Sequence, residues 1–529
     1  MSDKVGSVLV VGGGISGIQS SLNLAESGFK VYLLEDRPVV GGTMAQLDKT
    51  FPTNDCSLCI LSPKLVELGR HRNVEILTYS GLEEVEGEPG NFTVTVKKHP
   101  KKVDVEECTG CGLCAEECPV EAIDEYQEGL MLRNGIYVDY SQAVPLAYTI
   151  DEEKCIGCGI CEYKCEADAI EYDQEEEEVE LEVGSIILSP GFEEFDPSEK
   201  EEYLFDHPNV IQSTQFERIL SATGPSEGHV IRPGDGEIAR KIAWIQCVGS
   251  RDKECNEYCS SVCCMYSAKQ AITAMDHEEE LDCTIFSMDV RAPGKEFQEY
   301  IDRAKEMGAE YIRSRPSKVV ASKENNRLTI QYEEGGKPKK EEFDMVVLSV
   351  GMEPSSGAGE IERVTGIDLD DYGFAETRTF SPVQTSQPGV FVSGSFESPK
   401  DIPESITQAT GAASRSSELI SSEREEMTVE REYPPMKDVA GEKPRIGVFI
   451  CQCGINIGGV VDVPEVTSYA ESLPGVVHAE NNLYTCSQDT QERIKEKIEE
   501  EDLNRVVVAS CTPRTHEPLF RETCREAGL

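Results

Sequence analysis

Apolar runs of the length of a β-strand alternate with amphipathic segments along most of the chain. The first run, Ser7 to Val11, predicts a strand. The segment from about Ile18 to Ser27 has the apolar spacing of a helix, and Lys30 to Leu34 predicts a second strand. Similar runs recur after position 180, each closed by a glycine or a cysteine. This alternation predicts an α/β fold with parallel sheets of the Rossmann type.

The first strand leads directly into a dinucleotide fingerprint. Gly12 permits a tight turn, Gly14 lets the backbone approach a pyrophosphate, and Gly17 lets helix and strand pack closely. Glu35, at the end of the second strand, would accept hydrogen bonds from ribose hydroxyl groups. A glycine-rich turn without a ligand is the alternative, but the strand, the helix and the acid all stand where a nucleotide requires them.

Further glycines favour FAD over NAD. Gly41 and Gly42 follow the acid closely, as in flavoproteins of the thioredoxin reductase and glutathione reductase type. The strand-to-glycine segments that end at Gly191, Gly351 and Gly394 also resemble that class. The class usually has an aspartate directly after the last of these glycines, where this chain has serine. We expect these glycines to lie at the flavin.

The region where a thioredoxin reductase would bind NADPH has lost its glycine fingerprint. The strand Lys241 to Gln246 leads instead into five cysteines: Cys247, Cys255, Cys259, Cys263 and Cys264. The spacing puts Cys259, Cys263 and Cys264 on or near one helical turn, with Cys247 able to supply a fourth sulfur. We therefore predict an iron–sulfur cluster here and no nicotinamide site. Buried structural thiols are the alternative.

Two cysteine runs have the spacing of a bacterial two-cluster ferredoxin, in which the fourth cysteine of each run reaches the other cluster. A zinc interpretation is disfavoured, because eight cysteines with this spacing rarely bind zinc. The expected ligands are Cys108, Cys111, Cys114 and Cys165 for one 4Fe–4S cluster, and Cys155, Cys158, Cys161 and Cys118 for the other.

Composition excludes some functions. The chain has 529 residues, enough for several domains, and a formal net charge of −49, so a nucleic acid backbone would be repelled. Its 21 cysteines stand mostly in cluster-type spacings, which favours a reducing compartment over a disulfide framework. No apolar run reaches the ~18 residues that a membrane span needs. We expect a soluble, cytoplasmic protein.

Several segments resemble the A subunit of heterodisulfide reductase, an iron–sulfur flavoprotein of methanogens with relatives in other anaerobes. The matching segments are 54–64, 247–252, 258–269 and 510–518. The resemblance implies FAD and several 4Fe–4S clusters in a thioredoxin reductase-like body with an inserted ferredoxin. It also implies that Cys247, Cys259, Cys263 and Cys264 form an unusual cluster site, with Cys255 as a spare.

The predicted domains follow from this resemblance and from the pattern of strands. Residues 1–102 and 176–423 form the FAD-binding Rossmann body, within which 240–340 is a degenerate second dinucleotide domain. Residues 103–175 form the inserted α+β ferredoxin, 424–444 a linker, and 445–529 a cysteine-rich α/β domain that ends before its expected length. In the resembled family this last domain precedes the flavin body, whereas here it follows.

Three further residues have open interpretations. The resemblance implies that Lys269 faces the flavin, where a cation would stabilise the reduced form; a solvated helix lysine is the alternative. Cys56 and Cys59 stand where glutathione reductase-type enzymes place a redox dithiol. They can be that dithiol, a pair of cluster ligands, or plain core thiols, and we favour cluster ligands.

The C-terminal cysteines follow predicted strands, at the edge where a parallel sheet assembles a site. Arg445 to Ile450 and Arg505 to Ser510 are two such strands. The predicted ligands of a further cluster are Cys451, Cys453, Cys486 and Cys511, with Cys524 as a substitute.

The leading functional hypothesis is an oxidoreductase component of a heterodisulfide reductase-type complex. It would pass electrons between a hydrogenase or formate dehydrogenase, FAD, ferredoxin and the B- and C-type subunits that reduce the CoM–CoB disulfide, by flavin-based electron bifurcation. A homodimer is part of this hypothesis. The alternative is a stand-alone NAD(P)H-dependent flavin disulfide reductase that uses Cys56 and Cys59. A pure ferredoxin-like carrier is disfavoured by the FAD fingerprint.

Overall fold

The structure is a computed structural model that describes residues 4–322 and 327–529. The strands are β1 (Ser7–Val11), β2 (Lys30–Glu35), β3 (Val74–Thr78), β4 (Ser80–Glu88), β5 (Asn91–Lys98), β6 (Glu121–Ile123), β7 (Leu132–Asn134), β8 (Ile136–Tyr137), β9 (Thr149–Ile150), β10 (Glu177–Val183), β11 (Ser185–Leu188), β12 (Phe192–Glu194), β13 (Val210–Gln212), β14 (Lys241–Val248), β15 (Asp282–Ser287), β16 (Glu310–Arg313), β17 (Lys318–Ala321), β18 (Leu328–Glu334), β19 (Lys337–Phe343), β20 (Met345–Val350), β21 (Met352–Pro354), β22 (Val390–Val392), β23 (Ile446–Cys451), β24 (Val476–Asn482) and β25 (Arg505–Ala509).

The α-helices are α1 (Ile15–Glu26), α2 (Gly42–Gln46), α3 (Ser57–Arg70), α4 (Leu113–Glu116), α5 (Ile160–Lys164), α6 (Ser213–Leu220), α7 (Cys263–His277), α8 (Phe297–Met307), α9 (Ala358–Thr365), α10 (Ile402–Leu419), α11 (Val463–Glu471), α12 (Gln488–Glu500) and α13 (Pro513–Glu526). Short 3-10 segments cover Pro197–Glu199, Glu201–Tyr203, Gly394–Phe396 and Ser421–Glu423, and a π-helical turn covers Gly454–Gly458.

The first sheet is parallel, with strand order β22-β11-β1-β2-β3. All five residues of β1 are buried. Val8 and Val10 pack towards the helices α1 and α10, whereas Leu9 and Val11 pack towards the antiparallel sheet β10-β5-β4. Because both faces are covered, the strand is a continuous apolar run, as is usual in parallel sheets.

The second parallel sheet has strand order β13-β20-β14-β15-β16. Its central strand, β14, is buried over almost its whole length and packs against α7 on one side and the antiparallel sheet β17-β18-β19 on the other. The short pair β12-β21 lies where the chain passes between the two parallel sheets. Two parallel sheets of this kind give the predicted thioredoxin reductase-like α/β fold.

The segment predicted as a ferredoxin lies between two adjacent strands of one sheet. Strands β5 and β10 are paired antiparallel, with Val94 opposite Leu181. The chain between them forms only the short pairs β6-β7 and β8-β9 and the helices α4 and α5. A few apolar residues and most of the cysteines form its core. The domain boundaries proposed from the sequence remain predictions.

The C-terminal segment has its own parallel sheet, of strand order β24-β23-β25, with α11, α12 and α13 around it. Cys451 is the last residue of β23, and Cys486 and Cys511 follow β24 and β25. Helix α13 packs against α3 of the flavin body. None of the helices in the described ranges is both long and apolar enough to cross a lipid bilayer.

Candidate functional site

The turn after β1 requires glycine at two positions. Gly12 has φ +103°, and a Cβ there would lie 2.1 Å from the carbonyl oxygen of Ser189. A Cβ on Gly17 would lie 1.8 Å from the carbonyl oxygen of Gly12. These contacts bring β1, β11 and the start of α1 so close together that any larger residue would push them apart.

Gly14 differs from these two glycines, because a Cβ there would meet no protein atom within 4 Å. It has extended backbone and caps α1, so the open space lies at the positive end of a 12-residue helix. The Gly41 N–H donates to the Gly13 carbonyl (2.8 Å), which brings the second glycine pair beside the first. Open space, glycine backbone and a helix N-terminus together fit a pyrophosphate.

The side chain of Glu35 contacts the same turn at Gly13. Its carboxylate accepts hydrogen bonds from the Gly13 N–H (2.5 Å) and the Arg37 N–H (3.0 Å). Burial raises the pKa of Glu35 well above its usual range. The residue therefore occupies the place that a ribose-binding acid takes in this motif. Together with the glycines it fits the adenosine and pyrophosphate of FAD.

The three later glycines do not lie together. Gly394 has φ +75° and lies against Ser16 of α1, where Ser393 bridges Ser16 and Ser189 with two hydroxyl contacts of 2.8 Å. Gly191 has φ +82° and faces open space. Gly351 instead packs against the hydroxyls of Ser250 and Ser260, beside the cysteine segment. It therefore supports the segment after β14 rather than the fingerprint turn.

Thiols converge where β14 ends. The sulfurs of Cys247 and Cys263 are 4.0 Å apart, and Cys264 is buried with them. The contact with Cys263 lowers the pKa of Cys247 and that of Cys264, the latter to about 7. Cys247 has φ +61°, an uncommon conformation for a side-chain-bearing residue. The arrangement places thiols at the position where a thioredoxin reductase would have its second glycine turn.

The other two cysteines of this segment lie differently. Helix α7 begins at Cys263, so Cys259 lies in the preceding loop and only two of the three sulfurs are on the helix. The Arg251 guanidinium lies near both Cys247 and Cys259; its pKa is raised first by Asp289 and further by these two cysteines. Cys255 packs in a separate core region and contacts Lys200.

Lys269 is not a solvated residue, so that alternative is wrong. Its side chain is 2% exposed, its Nζ lies 2.5 Å from Glu217 Oε1, and it donates to the carbonyl of Lys49 (3.0 Å). Glu217 also accepts from the Asp48 backbone N–H. The lysine therefore contacts the segment that follows α2 and the FAD glycines. Whether it faces the flavin stays a prediction.

Sequence reasoning missed the neighbours of Lys269. Arg218, next to Glu217 in α6, is fully buried and donates to the Gln46 carbonyl (2.8 Å) and to Gln127 (2.9 Å). Its guanidinium also lies over the ring of Tyr126. No local sequence pattern marks Glu217 and Arg218 in advance, because their burial comes from the packing of α6.

The ferredoxin cysteines surround two places in the inserted segment. One cavity is lined by Cys118 of the first run and by Cys155, Cys158 and Cys161 of the second, together with apolar residues. That is the set expected for one cube. At the other place Cys114 is close to Cys108 and Cys111, and burial with these neighbours raises its pKa to about 12. Cys165 packs in the same core.

The remaining six cysteines of interest form one group. Cys56 caps α3 and accepts from the Cys59 N–H (3.4 Å). Cys511 contacts Cys59, and this contact and His516 lower the pKa of Cys511 to about 3. Cys453 contacts Cys451 and lies near Cys511 and Cys56, and Cys486 lies near Cys451 as well. The predicted C-terminal ligands are thus brought together with Cys56 and Cys59.

Cys524, the predicted substitute, lies elsewhere. From α13, Cys524 packs against the apolar cluster of Phe449, Ile494, Ile498 and Leu503. Within the described part of the chain, no three His, Cys, Asp or Glu side chains stand in the arrangement of a single-ion site.

Comparison with known proteins identifies the family of the chain. Residues 6–413 match the family model described as pyridine nucleotide-disulphide oxidoreductase. The chain is 49% identical over 420 residues to an iron-sulfur A subunit of the CoB–CoM heterodisulfide reductase of Methanopyrus kandleri, covering 78% of this chain and 64% of that protein. It is 45% identical over 414 residues to the A subunit of the H(2):CoB-CoM heterodisulfide,ferredoxin reductase of Methanothermobacter marburgensis, covering 77% and 63%.

Among solved structures, the thioredoxin reductase of T. acidophilum is similar with a TM-score of 0.45 and 13% identity, over 79% of this chain and 99% of that one. The chain spans slightly less than two thirds of the length of the curated relatives. The resemblance to heterodisulfide reductase A subunits is confirmed at the level of sequence. The chain belongs to the pyridine nucleotide-disulphide oxidoreductase family and is an oxidoreductase of α/β Rossmann fold.

Proposed function

We propose that this chain is the flavin and iron–sulfur component of a heterodisulfide reductase-type complex. It would connect a hydrogenase or formate dehydrogenase partner with ferredoxin and with the subunits that reduce the CoM–CoB disulfide, dividing electrons at the flavin. The names of two related A subunits include hydrogen, formate and ferredoxin, which supports this choice of partners.

One observation carries the proposal: thiols stand at the carboxyl end of β14. In a parallel sheet that edge assembles the ligand site. Here Cys247 is the second-last residue of the strand and Cys263 begins the following helix, so the helix N-terminus meets sulfur instead of a glycine turn. Gly249 is needed for this approach, because a Cβ there would lie 2.1 Å from the Phe195 ring. This geometry favours a cluster over a nicotinamide.

The inserted segment contacts the segment around Gly41 and Gly42, which supports electron transfer between the inserted clusters and the flavin. Tyr126 Oη donates to the Ala45 carbonyl (2.7 Å), and the Tyr140 hydroxyl donates to the Val40 carbonyl. The Val40 N–H donates to the Val144 carbonyl (2.9 Å). These contacts fix the region of Cys108 to Cys165 against the segment that contains Gly41 and Gly42.

The two kinds of cofactor would exchange electrons in different numbers. FAD exchanges electrons in pairs, and iron–sulfur cubes accept them singly. The protein groups described above would hold the pyrophosphate at Gly14, bind the ribose at Glu35 and supply eight thiols in the inserted segment. The competing function, an NAD(P)H-dependent disulfide reductase, is supported by the contact between Cys56 and Cys59 and by the family model that matches residues 6–413.

Anaerobic reduction separates these two functions. With stoichiometric NADPH or NADH we expect the flavin absorbance of the purified protein to stay unchanged over minutes, because the second dinucleotide turn is absent. With a low-potential one-electron donor, such as reduced ferredoxin, we expect the flavin and cluster bands to bleach. Rapid bleaching by NADPH, with two new free thiols at Cys56 and Cys59, would contradict the proposal.

A further inference from the structure

An arginine side chain lies against the thiols at the end of β14. The β14 thiol group consists of the side chains of Cys247, Cys259, Cys263 and Cys264. Arg251, in the loop after the strand, contacts the Cys247 thiol and lies near Cys259. A guanidinium group stays protonated in proteins. A fixed positive charge therefore stands beside two of the four predicted ligands.

Two sets of contacts hold Arg251 in this place. Its backbone N–H donates to the Tyr258 carbonyl (2.9 Å), which closes the loop that follows the strand. Its guanidinium forms a two-point ion pair with Asp289, after β15, in which Nη2 lies 3.2 Å from Oδ2. The Asp289 carbonyl oxygen in turn lies 3.9 Å from the Cys264 sulfur. The arginine thus reaches from the loop after β14 to the end of β15, beside the thiols.

Two more arginines stand around Asp289. Arg291 Nε lies 3.6 Å from its carboxylate, and the Arg291 backbone N–H donates to the Cys264 sulfur (3.3 Å). Arg313 Nε donates to the carbonyl of Met288 (3.1 Å), whose side chain packs against the thiols. All three guanidinium groups interact electrostatically with Asp289. Three positive charges thus share this carboxylate next to the thiol group, although the chain as a whole is strongly acidic.

A positive charge in this position acts on the electron affinity of a bound cube. Reduction adds one negative charge to the cube and its four thiolates. A hydrogen bond or a cation at a ligand sulfur stabilises that charge and so raises the reduction potential. Such effects are stronger inside a protein than in water, and Cys247 and Cys263 are only 3% and 2% exposed. Asp289 opposes the effect, because its own charge is negative.

We propose that Arg251 is a positioning residue that raises the reduction potential of a 4Fe–4S cluster on the β14 thiol group, with Asp289 as the counter-charge that limits the rise. The inference rests on the proposed function, and it adds the residues that set the electron affinity of this site. Neither side chain is a predicted ligand, so each can be replaced without removing a thiol.

A redox titration followed by low-temperature EPR tests the roles of these two residues. The signal of this cluster is the one that Cys247→Ser lacks. Arg251→Gln should shift its reduction equilibrium at least about tenfold towards the oxidised form, which is about 59 mV for one electron. Asp289→Asn should shift the equilibrium in the opposite direction, because it removes a negative charge and leaves the arginines unopposed. Both variants should keep the iron content of the unmutated protein.

Arg240→Gln is the matched control, because Arg240 precedes the opposite end of β14, is 52% exposed and pairs with Glu280 at 3.6 Å. It should leave the potential unchanged. An unchanged potential in Arg251→Gln with full iron, or shifts of the same sign in Arg251→Gln and Asp289→Asn, would overturn the inference. A purely structural role of Arg251 in holding the loop gives no such pair of opposite shifts.

Asp289→Asn decides alone if Arg251→Gln fails to assemble the cluster. A higher potential in Asp289→Asn then supports the inference, and an unchanged or lower potential overturns it. The proposed function is tested separately by the unmutated protein. If that protein lacks the cluster signal, the proposed function fails, whereas a signal that is present but does not shift in the variants contradicts only the role of Arg251.

Discussion

Replacing Gly14 with valine should weaken FAD binding strongly while leaving the fold intact. A Cβ at Gly14 meets no protein atom within 4 Å, and the backbone there is extended, with φ −75° and ψ −179°, so valine is compatible with the local structure. The space that the side chain would fill is the one where a pyrophosphate approaches the helix N-terminus. Intrusion of this kind costs about 3 kcal/mol, which corresponds to about 100-fold weaker binding.

The flavin retained after gel filtration measures the loss of FAD, and circular dichroism measures whether the fold is intact. Gly359→Val in α9 is the control, because its added Cβ also meets nothing within 4 Å. That variant should keep its FAD. Gly17→Val should instead lose the fold together with the flavin, since its Cβ would lie 1.8 Å from a backbone oxygen. Normal FAD content in Gly14→Val would contradict the placement of the pyrophosphate.

Breaking the ion pair between Lys269 and Glu217 should destabilise the flavin body strongly. Both side chains are 2% exposed, and their charged atoms lie 2.5 Å apart. Removing one partner leaves the other charge buried without its counter-ion, which costs about 3–5 kcal/mol. Lys269→Met and Glu217→Gln should therefore each lower the free energy of unfolding by about this amount.

Urea unfolding followed by flavin fluorescence measures the loss. The double variant Lys269→Met/Glu217→Gln should lose less than the sum of the two single variants, because it leaves no unpaired charge. Lys295→Met is the control, since Lys295 is 92% exposed and its pair with Glu296 spans 3.8 Å. It should cost less than about 1 kcal/mol. Additive losses in the double variant would show that the two charges do not interact.

The local patterns allowed reliable predictions where a motif and an apolar run coincide. Strand β1 has the predicted bounds, and the turn at Gly12 and Gly17 has the geometry that the fingerprint requires. Helix α1 begins at Ile15, three residues before its predicted start, because Gly14 already caps it. Cys259 fails to join the helix of Cys263 because the chain turns through Ser261, which has φ +61°.

Contacts between distant segments could not be predicted in the same way. Glu217 and Lys269 are 52 residues apart, and only the packing of α6 on α7 makes them partners. The contact of Cys59 with Cys511 depends on how the C-terminal sheet docks on α3, which no local spacing encodes. The sequence indicated two separate candidate sites where the structure has one group.

The central claim, that thiolate-bound iron has replaced a nicotinamide site at the end of β14, is tested most directly by Cys247→Ser. Cys283 on the neighbouring strand β15 is buried without a thiol neighbour in its core, so Cys283→Ser is the matched control. Both proteins would be purified without oxygen and compared by iron and sulfide content, low-temperature EPR and NADPH binding. We predict that Cys247→Ser loses about four irons per chain, together with one cubane signal, that Cys283→Ser loses none, and that neither binds NADPH. Unchanged iron in Cys247→Ser, or NADPH bound to the unmutated protein beside Cys247, would contradict the account.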